Sequence, residues 1–256
     1  MLEKQRLLNT YVNNVTLDET LDEIDELIHK RKKSYIVAIN VDVVMKMESD
    51  DYLRRITNEA DMVLVDGKPL IWISKLYKRQ IKEKVSGSDL VPQMCKRAAD
   101  ENYTIFIIGG KDGVAEQAKK KLEQKFPGIR IVGTYAPPLG FENDESELDK
   151  INQMITDAHP DLLIGCLGCP KQEKWIAKYR SQMFNIKLFM ALGATIDFEA
   201  GNIKRAPILF QKMAMEWFYR FLREPKRLFR RYFIDDVCFF YYFAKQLLGR
   251  YKDPFA

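Results

Sequence analysis

Four apolar runs in this 256-residue chain each end on glycine together with a side chain able to hold an anion or move a proton. The fullest is Leu162 to Glu173, Leu-Leu-Ile-Gly-Cys-Leu-Gly-Cys-Pro-Lys-Gln-Glu. Its apolar start breaks at Gly165 and Gly168, and Pro170 stands where a helix would begin, because its fixed φ suits the first helical position. Lys171, Gln172 and Glu173 then set polar groups at the mouth of a cleft. A second run, Ile105 to Ile108, closes on Gly109-Gly110-Lys111-Asp112-Gly113, ahead of the helical spacing of Val114, Ala118 and Leu122. Met62 to Val65 ends at Asp66-Gly67, and Leu188 to Leu192 ends at Gly193-Ala194-Thr195-Ile196-Asp197. Glycines at strand ends let the backbone approach a ligand, and the free N–H groups of a following helix attract anions. Any one of these junctions is an ordinary strand-to-helix connection. Four of them are what one crevice lined by several loops requires.

The rest of the chain supplies the elements that hold these junctions. Tyr11 to Val15 reads as a strand, and the Thr16 hydroxyl can cap a helix through Leu21, Ile24 and Leu27. Ser34 to Ile39 is a strand leading to Asn40-Val41-Asp42. Helices over 43–58, 68–78 and 88–101 alternate with strands over 62–65 and 104–108, and strands over 129–133, 161–166 and 187–192 follow with helices between. Residues 134–143 carry no strong pattern and read as a loop. The alternation indicates an α/β fold, a Rossmann-like and mostly parallel sheet flanked by helices, over residues 1–200.

Residues 201–256 differ in character. They hold 12 lysines and arginines against 5 acidic residues, a balance of +7 where the whole chain is only +5, and half of its aromatic residues. Basic side chains interleaved with Trp217, Phe218, Tyr219, Phe221 and the run Phe239 to Phe243 suit an anionic membrane surface, with some rings packing into the core. The apolar run Val237 to Ala244 is far short of the roughly 20 residues that span a bilayer. Glu224-Pro225 separates two helices, the first ending at Arg220 and Arg223, the second presenting Arg227, Arg230 and Arg231 on one face. Cations at a helix start are opposed by its dipole, so their clustering points to an external anion. This region reads as a C-terminal basic, aromatic, helical appendage. The first residues, Met-Leu-Glu-Lys-Gln-Arg, lack the apolar core of a signal peptide, and four cysteines fit a reducing compartment, so a cytoplasmic location is expected. Cys166 and Cys169 form a single C-x-x-C with no second pair, which favours small buried thiols over zinc or redox chemistry.

Gly87-Ser88-Asp89-Leu90, Phe106-Ile107-Ile108-Gly109-Gly110, Gly168-Cys169-Pro170-Lys171-Gln172-Glu173, Lys204-Arg205-Ala206-Pro207 and Glu216-Trp217-Phe218-Tyr219-Arg220 occur in order. In that order and spacing the chain resembles the WecG/TagA/CpsF glycosyltransferases over essentially its whole length. The resemblance implies a metal-independent, inverting transferase with no cofactor. Such an enzyme moves a sugar from a UDP donor to an undecaprenyl-diphosphate-linked sugar at the inner face of the cell membrane. It implies N-acetylmannosamine first, transferred to lipid-linked N-acetylglucosamine in wall teichoic acid or common antigen synthesis, with glucose or N-acetylmannosaminuronic acid for exopolysaccharide or capsule as alternatives. Asp66 matches the family aspartate that acts as base, and Asn40 an asparagine beside the acceptor. Gln172 is placed to hold a sugar hydroxyl or the diphosphate, and Arg220, Arg227 and Arg230 match arginines that complete the site. Gly109, Gly110, Gly168 and Lys171 are the remaining nucleotide-binding candidates, and Lys84, Asp89 and Asp197 the remaining substrate-binding ones. The chain contains no Asp-x-Asp, the pair with which many nucleotide-sugar transferases hold a metal, so arginines must neutralise the diphosphate. Two departures leave the donor sugar open. The family often carries Thr-Pro-Asn where this chain has Ala38-Ile39-Asn40, and arginine where it has Lys84.

Other functional classes explain less. A nucleotide-dependent oxidoreductase accounts for the glycine turns, but no G-x-G-x-x-G is complete and no acidic residue is clearly placed for a ribose. A nucleic-acid-binding protein accounts for the basic aromatic tail and not for the cleft loops, so no nucleic-acid partner is expected. A homo-oligomer is compatible with the sequence and is not specified by it.

Overall fold

The computed structural model describes residues 2–30, 33–76, 80–203, 206–207, 210, 215–230, 236–252 and 254–255, the side chains of Arg220 and Arg227 excepted. Its centre is a six-stranded, wholly parallel sheet. The strands are β3 (Ser34–Ile39), β4 (Met62–Val65), β5 (Thr104–Gly109), β6 (Arg130–Tyr135), β7 (Leu162–Cys166) and β8 (Leu188–Ala191), in the order β4-β3-β8-β7-β5-β6. Most of these strands are unbroken apolar runs because both faces are covered, as parallel sheets require. Tyr35, Val37, Ile39, Val63, Val65, Phe106, Leu163 and Phe189 enter one core, with side chains from α2 (Val41–Ser49), α3 (Asp51–Asn58), α4 (Lys68–Leu76), α7 (Glu145–Ala158) and α8 (Lys171–Tyr179). The alternate residues Ile36, Met62, Leu64, Ile105, Ile107, Ile164 and Met190 enter the other, against α1 (Leu17–His29), α5 (Gly87–Asp100) and α6 (Val114–Lys125). Each fully buried Leu, Ile or Phe contributes about 1.5–3 kcal/mol through removal of apolar surface from water.

Three differences from the sequence reading have local causes. The strand expected over 11–15 is β2 (Thr10–Asn13), paired antiparallel with β1 (Lys4–Leu7) through a two-residue turn in which Leu8 takes φ 51°. The Asn13 amide oxygen then accepts from Val63 N at 2.8 Å and covers the β4 edge. The single helix expected over 43–58 is two, broken at Asp50. Asp50 is extended and its carboxylate accepts from Leu53 N at 2.9 Å, so it caps α3, while its other oxygen meets Lys174 at 2.5 Å. Finally, β6 runs on to Tyr135, and Phe141–Asn143 forms a 3-10 turn, within what read as a patternless loop. Thr16 caps α1 as expected, in a reciprocal pair with Glu19.

Beyond β8 follow α9 (Thr195–Glu199), α10 (Glu216–Arg223), α11 (Pro225–Arg230) and α12 (Val237–Leu247). Phe239 and Phe243 of α12 are buried in the same core as α2, and Tyr251 donates to Glu48 of α2 at 2.5 Å. The far end packs on the N-terminal hairpin, where Phe255 lies 5.2 Å from the Tyr11 ring and under Arg6. Among the described residues no helix is long and apolar enough to cross a membrane.

Candidate active site

The carboxyl ends of β3, β4, β7 and β8 surround one cavity of about 320 Å³. Its wall includes Asn40 after β3, Asp66 after β4, Gly168, Cys169 and Gln172 after β7, and Leu192 to Thr195 after β8. This is the crevice that open parallel sheets offer to ligands. Lys84, Ser86 and Ser88 close it from the segment before α5, and Ala206 and Glu216 from the C-terminal region.

Backbone hydrogen bonds position the charged groups. Asp66 N donates to the Ile39 carbonyl at 2.7 Å, which continues the β3–β4 ladder one residue past the strand and fixes Asp66 at the cavity wall. Val85 N donates to the Val65 carbonyl at 2.9 Å and so lays Lys84 and Ser86 beside that strand end. Lys84 Nζ lies 2.8 Å from Asp89 Oδ2, 3.7 Å from Glu216 and 3.2 Å from Ser86 Oγ. Burial depresses the Lys84 pKa, but the hydrogen bond and charge of Asp89, then Glu216 and Asp66, outweigh it and leave the net shift upward. Lys84 is therefore a held cation beside the Asp66 carboxylate. A Cβ on Gly87, the first residue of α5, would stand 2.2 Å from Thr195 Oγ1, so only glycine lets this segment close against the β8–α9 turn.

Asn40 caps α2, its amide oxygen accepting from Val43 N at 3.2 Å, which leaves the NH₂ as the end that can serve a ligand. Gln172, 2% exposed, accepts on Oε1 from both Gly168 N at 3.2 Å and Gly193 N at 3.3 Å, and thus ties the β7–α8 turn to the β8–α9 turn. Its Nε2 donates to Glu173 at 2.8 Å. Pro170 stands one residue earlier than the sequence placed it, at the N-cap of α8 after a cis Cys169–Pro170 bond.

Asn40, Asp66, Lys84, Gly168 and Gln172 thus share one cavity, and Asp89 stands behind it as the partner of Lys84. The remaining candidates lie elsewhere. Gly109 ends β5 where a Cβ would come within 2.3 Å of the Cys166 backbone, and Gly110 N donates to the Cys166 carbonyl at 3.3 Å. These two glycines serve strand packing, and neither lines the cavity. Lys171 is drawn to Glu142 of the 3-10 turn at 2.6 Å. Asp197 sits in α9 outside the wall, its carbonyl accepting from Asn202 N and Ile203 N. Arg230 is an exposed residue of α11, while the side chains of Arg220 and Arg227, with Lys204, Arg205 and Arg231, lie outside the described residues. Cys166 and Cys169 are both free thiols, and burial pushes Cys166 up to about 12 and Cys169 upward as well, so neither is a thiolate at neutral pH.

The sequence reading missed Lys46. Its Nζ sits 2.9 Å from Asp42 and donates to the Cys169 carbonyl at 3.0 Å, which places a second cation on the cavity wall. The four-residue spacing of Asp42 and Lys46 on one helix face was the available signal.

Residues 5–253 match the glycosyl transferase WecG/TagA/CpsF family. The chain belongs to that family. A protein of Bacillus spizizenii named N-acetylglucosaminyldiphosphoundecaprenol N-acetyl-beta-D-mannosaminyltransferase is 30% identical over 200 residues, 78% of this chain and 75% of that protein. A Staphylococcus aureus protein of the same name, from strain MRSA252, is 28% identical over 229 residues, 89% of this chain and 87% of that protein. In this glycosyltransferase the ends of β4, β7 and β8 that the sequence singled out are cavity wall, and the end of β5 is not.

Proposed function

We propose that this chain transfers a sugar from a UDP donor to an undecaprenyl-diphosphate-linked N-acetylglucosamine, with inversion at the anomeric carbon and without a metal ion. The observation that carries the reading is the convergence of Asp66, Lys84 and Asn40 on one cavity at the strand ends. Asp66 takes the proton of the acceptor hydroxyl as its oxygen attacks the anomeric carbon from one face. The bond from that carbon to the diphosphate breaks on the other face, and UDP leaves with the electron pair. The departing charge falls to fixed cations and N–H donors, the largest source of stabilisation in such a step. Lys84 and Lys46 stand on the wall to supply it, and Arg220, Arg227 and Arg230 are assigned to the same task on the family resemblance alone. Asn40 offers its NH₂ to the acceptor.

The names of the relatives favour N-acetylmannosamine as the sugar moved, with glucose or N-acetylmannosaminuronic acid as alternatives that the Ala38 and Lys84 departures keep in view. The exposed Val237, Phe240, Tyr241, Leu247 and Leu248 on and beside α12, with Lys245 and Arg250, support docking on an anionic membrane surface where the lipid acceptor resides. The test is transfer by the purified protein from a panel of UDP-sugars to a short-chain lipid-diphosphate N-acetylglucosamine in the presence of EDTA. Product from one UDP-sugar with inverted configuration is expected. Activity only after manganese is added, or none with any UDP-sugar, contradicts the reading.

A further inference from the structure

Glu173 is a carboxylic residue with 0% exposure, buried behind the wall of the cavity. Placing such a group out of water costs several kcal/mol unless hydrogen bonds compensate, so its retention calls for a task. Its Oε1 accepts from Gln172 Nε2 at 2.8 Å, and the Cys169 thiol, the Tyr35 phenol and the Lys46 ammonium are the other titratable groups near it. Burial pushes its pKa up, opposed by the Gln172 hydrogen bond.

A carboxamide has two faces of opposite character, carbonyl and NH₂, and nothing in its shape decides which points where. At Gln172 the choice matters, because two backbone N–H groups, Gly168 and Gly193, converge on the end that faces the cavity turns. With the amide reversed, NH₂ would oppose both donors and the link between the turns would break. The Glu173 acceptor opposite Nε2 excludes that reversal.

We propose that Glu173 is a positioning residue for sugar transfer: it fixes the Gln172 amide so that one carbonyl oxygen locks the β7–α8 and β8–α9 turns together at the cavity wall. The inference rests on the cavity being the transfer site. The role requires only an acceptor, so Glu173→Gln, whose own carbonyl can accept from Gln172, fulfils it, and Glu173→Met, of similar length without an acceptor, does not.

Two readouts test it, the ¹⁵N–¹H resonances of Gly168 and Gly193 and the transfer kinetics, with the thermal midpoint measured alongside. In Glu173→Met both amide resonances are expected to move upfield, and kcat to fall about 10- to 100-fold, as misplacement of a site wall does. Glu173→Gln restores both. Unmoved amides in Glu173→Met, shifted amides with wild-type kcat, or a Glu173→Gln protein as defective as Glu173→Met each overturn the proposal. Should Glu173→Met fail to fold, the double variant Gln172→Glu/Glu173→Met puts acceptors on both side-chain oxygens of residue 172, so the lock needs no orienting partner. Wild-type-like amide shifts are expected in it, and their loss overturns the proposal. If the wild-type protein transfers no sugar, the function assigned to the cavity fails, while the amide resonances still decide whether Glu173 holds Gln172.

Discussion

At the scale of single residues, the cavity is a balance of fixed charges. Among the described residues Lys84 and Lys46 supply the positive side, and Asp42, Asp66, Asp89 and Glu216 the negative. Because the folded pKa of Lys84 is raised above its ordinary 10.5, its charge is fully present below that value and is lost only as pH rises through the higher folded value. The pH–rate profile around neutrality therefore carries no inflection from Lys84. Lys84→Met removes a fixed cation from the leaving diphosphate and is expected to lower kcat/KM about 100-fold or more, in the range seen when one such donor is removed. A loss below a few-fold in steady-state assays would take Lys84 out of that role. The position of Asp66, Asn40 and Gln172 at the cavity wall was legible in the sequence because each follows an apolar strand or a glycine turn, whereas the roles of Asp66 and Asn40 came from the family resemblance. Glycines are poor guides taken alone: Gly109 and Gly110 looked like ligand contacts, yet Gly109 is set by the approach of the Cys166 backbone. Lys171 illustrates the same limit, since its partner Glu142 lies 29 positions away and no local pattern announces it.

At the scale of elements, the amino ends of the strands are tied as firmly as their carboxyl ends are open. Asp161 accepts from Thr104 N and Thr104 Oγ1, each at 2.9 Å, and meets Lys187 at 2.7 Å, so one carboxylate joins the starts of β5, β7 and β8. Burial raises its pKa, but Lys187 and Thr104 outweigh that and leave it lowered. Its stabilisation is present above the ordinary value of 3.8 and is lost as pH falls through the lower folded value. Asp161→Asn is expected to cost about 1–3 kcal/mol at neutral pH, because hydrogen bonds to a charged group are broken. That penalty shrinks on acidification below 3.8, as urea melts at several pH values would record. A pH-independent penalty would show that the charge is not what Asp161 contributes. Most strands of this sheet were readable, since burial on both faces writes them as continuous apolar runs. What escaped was side-chain chemistry at their margins. Ser49-Asp50-Asp51 carried the capping signal that splits α2 from α3, hidden by apolar spacing that continues across it. The Leu8-Asn9 turn of the hairpin lacks the glycine that usually marks one.

At the scale of the whole molecule, residues 237–255 divide their aromatic rings between two jobs. Phe239 and Phe243 complete the core, whereas Phe240 and Tyr241 are exposed beside Lys245. Deleting residues 201–256 would strip the core as well as the proposed membrane face, so single substitutions separate the two. Phe239→Ala is expected to destabilise the fold by about 3–5 kcal/mol. Phe240→Ser/Tyr241→Ser is expected to leave the melting midpoint unchanged and to reduce co-sedimentation with anionic vesicles about tenfold, through lost apolar contact. Wild-type vesicle binding in that double variant would move the membrane face off α12.

The central claim is that Asp66 is the base in sugar transfer, and Asp66→Asn tests it most directly, since the amide keeps the shape and discards the basic lone pair. Transfer to the lipid-diphosphate acceptor is measured beside calorimetric binding of UDP to the same protein. UDP affinity is expected to stay at the wild-type level while kcat falls about 10² to 10⁴-fold, the usual contribution of a general base. Transfer within a factor of a few of wild type would contradict the account.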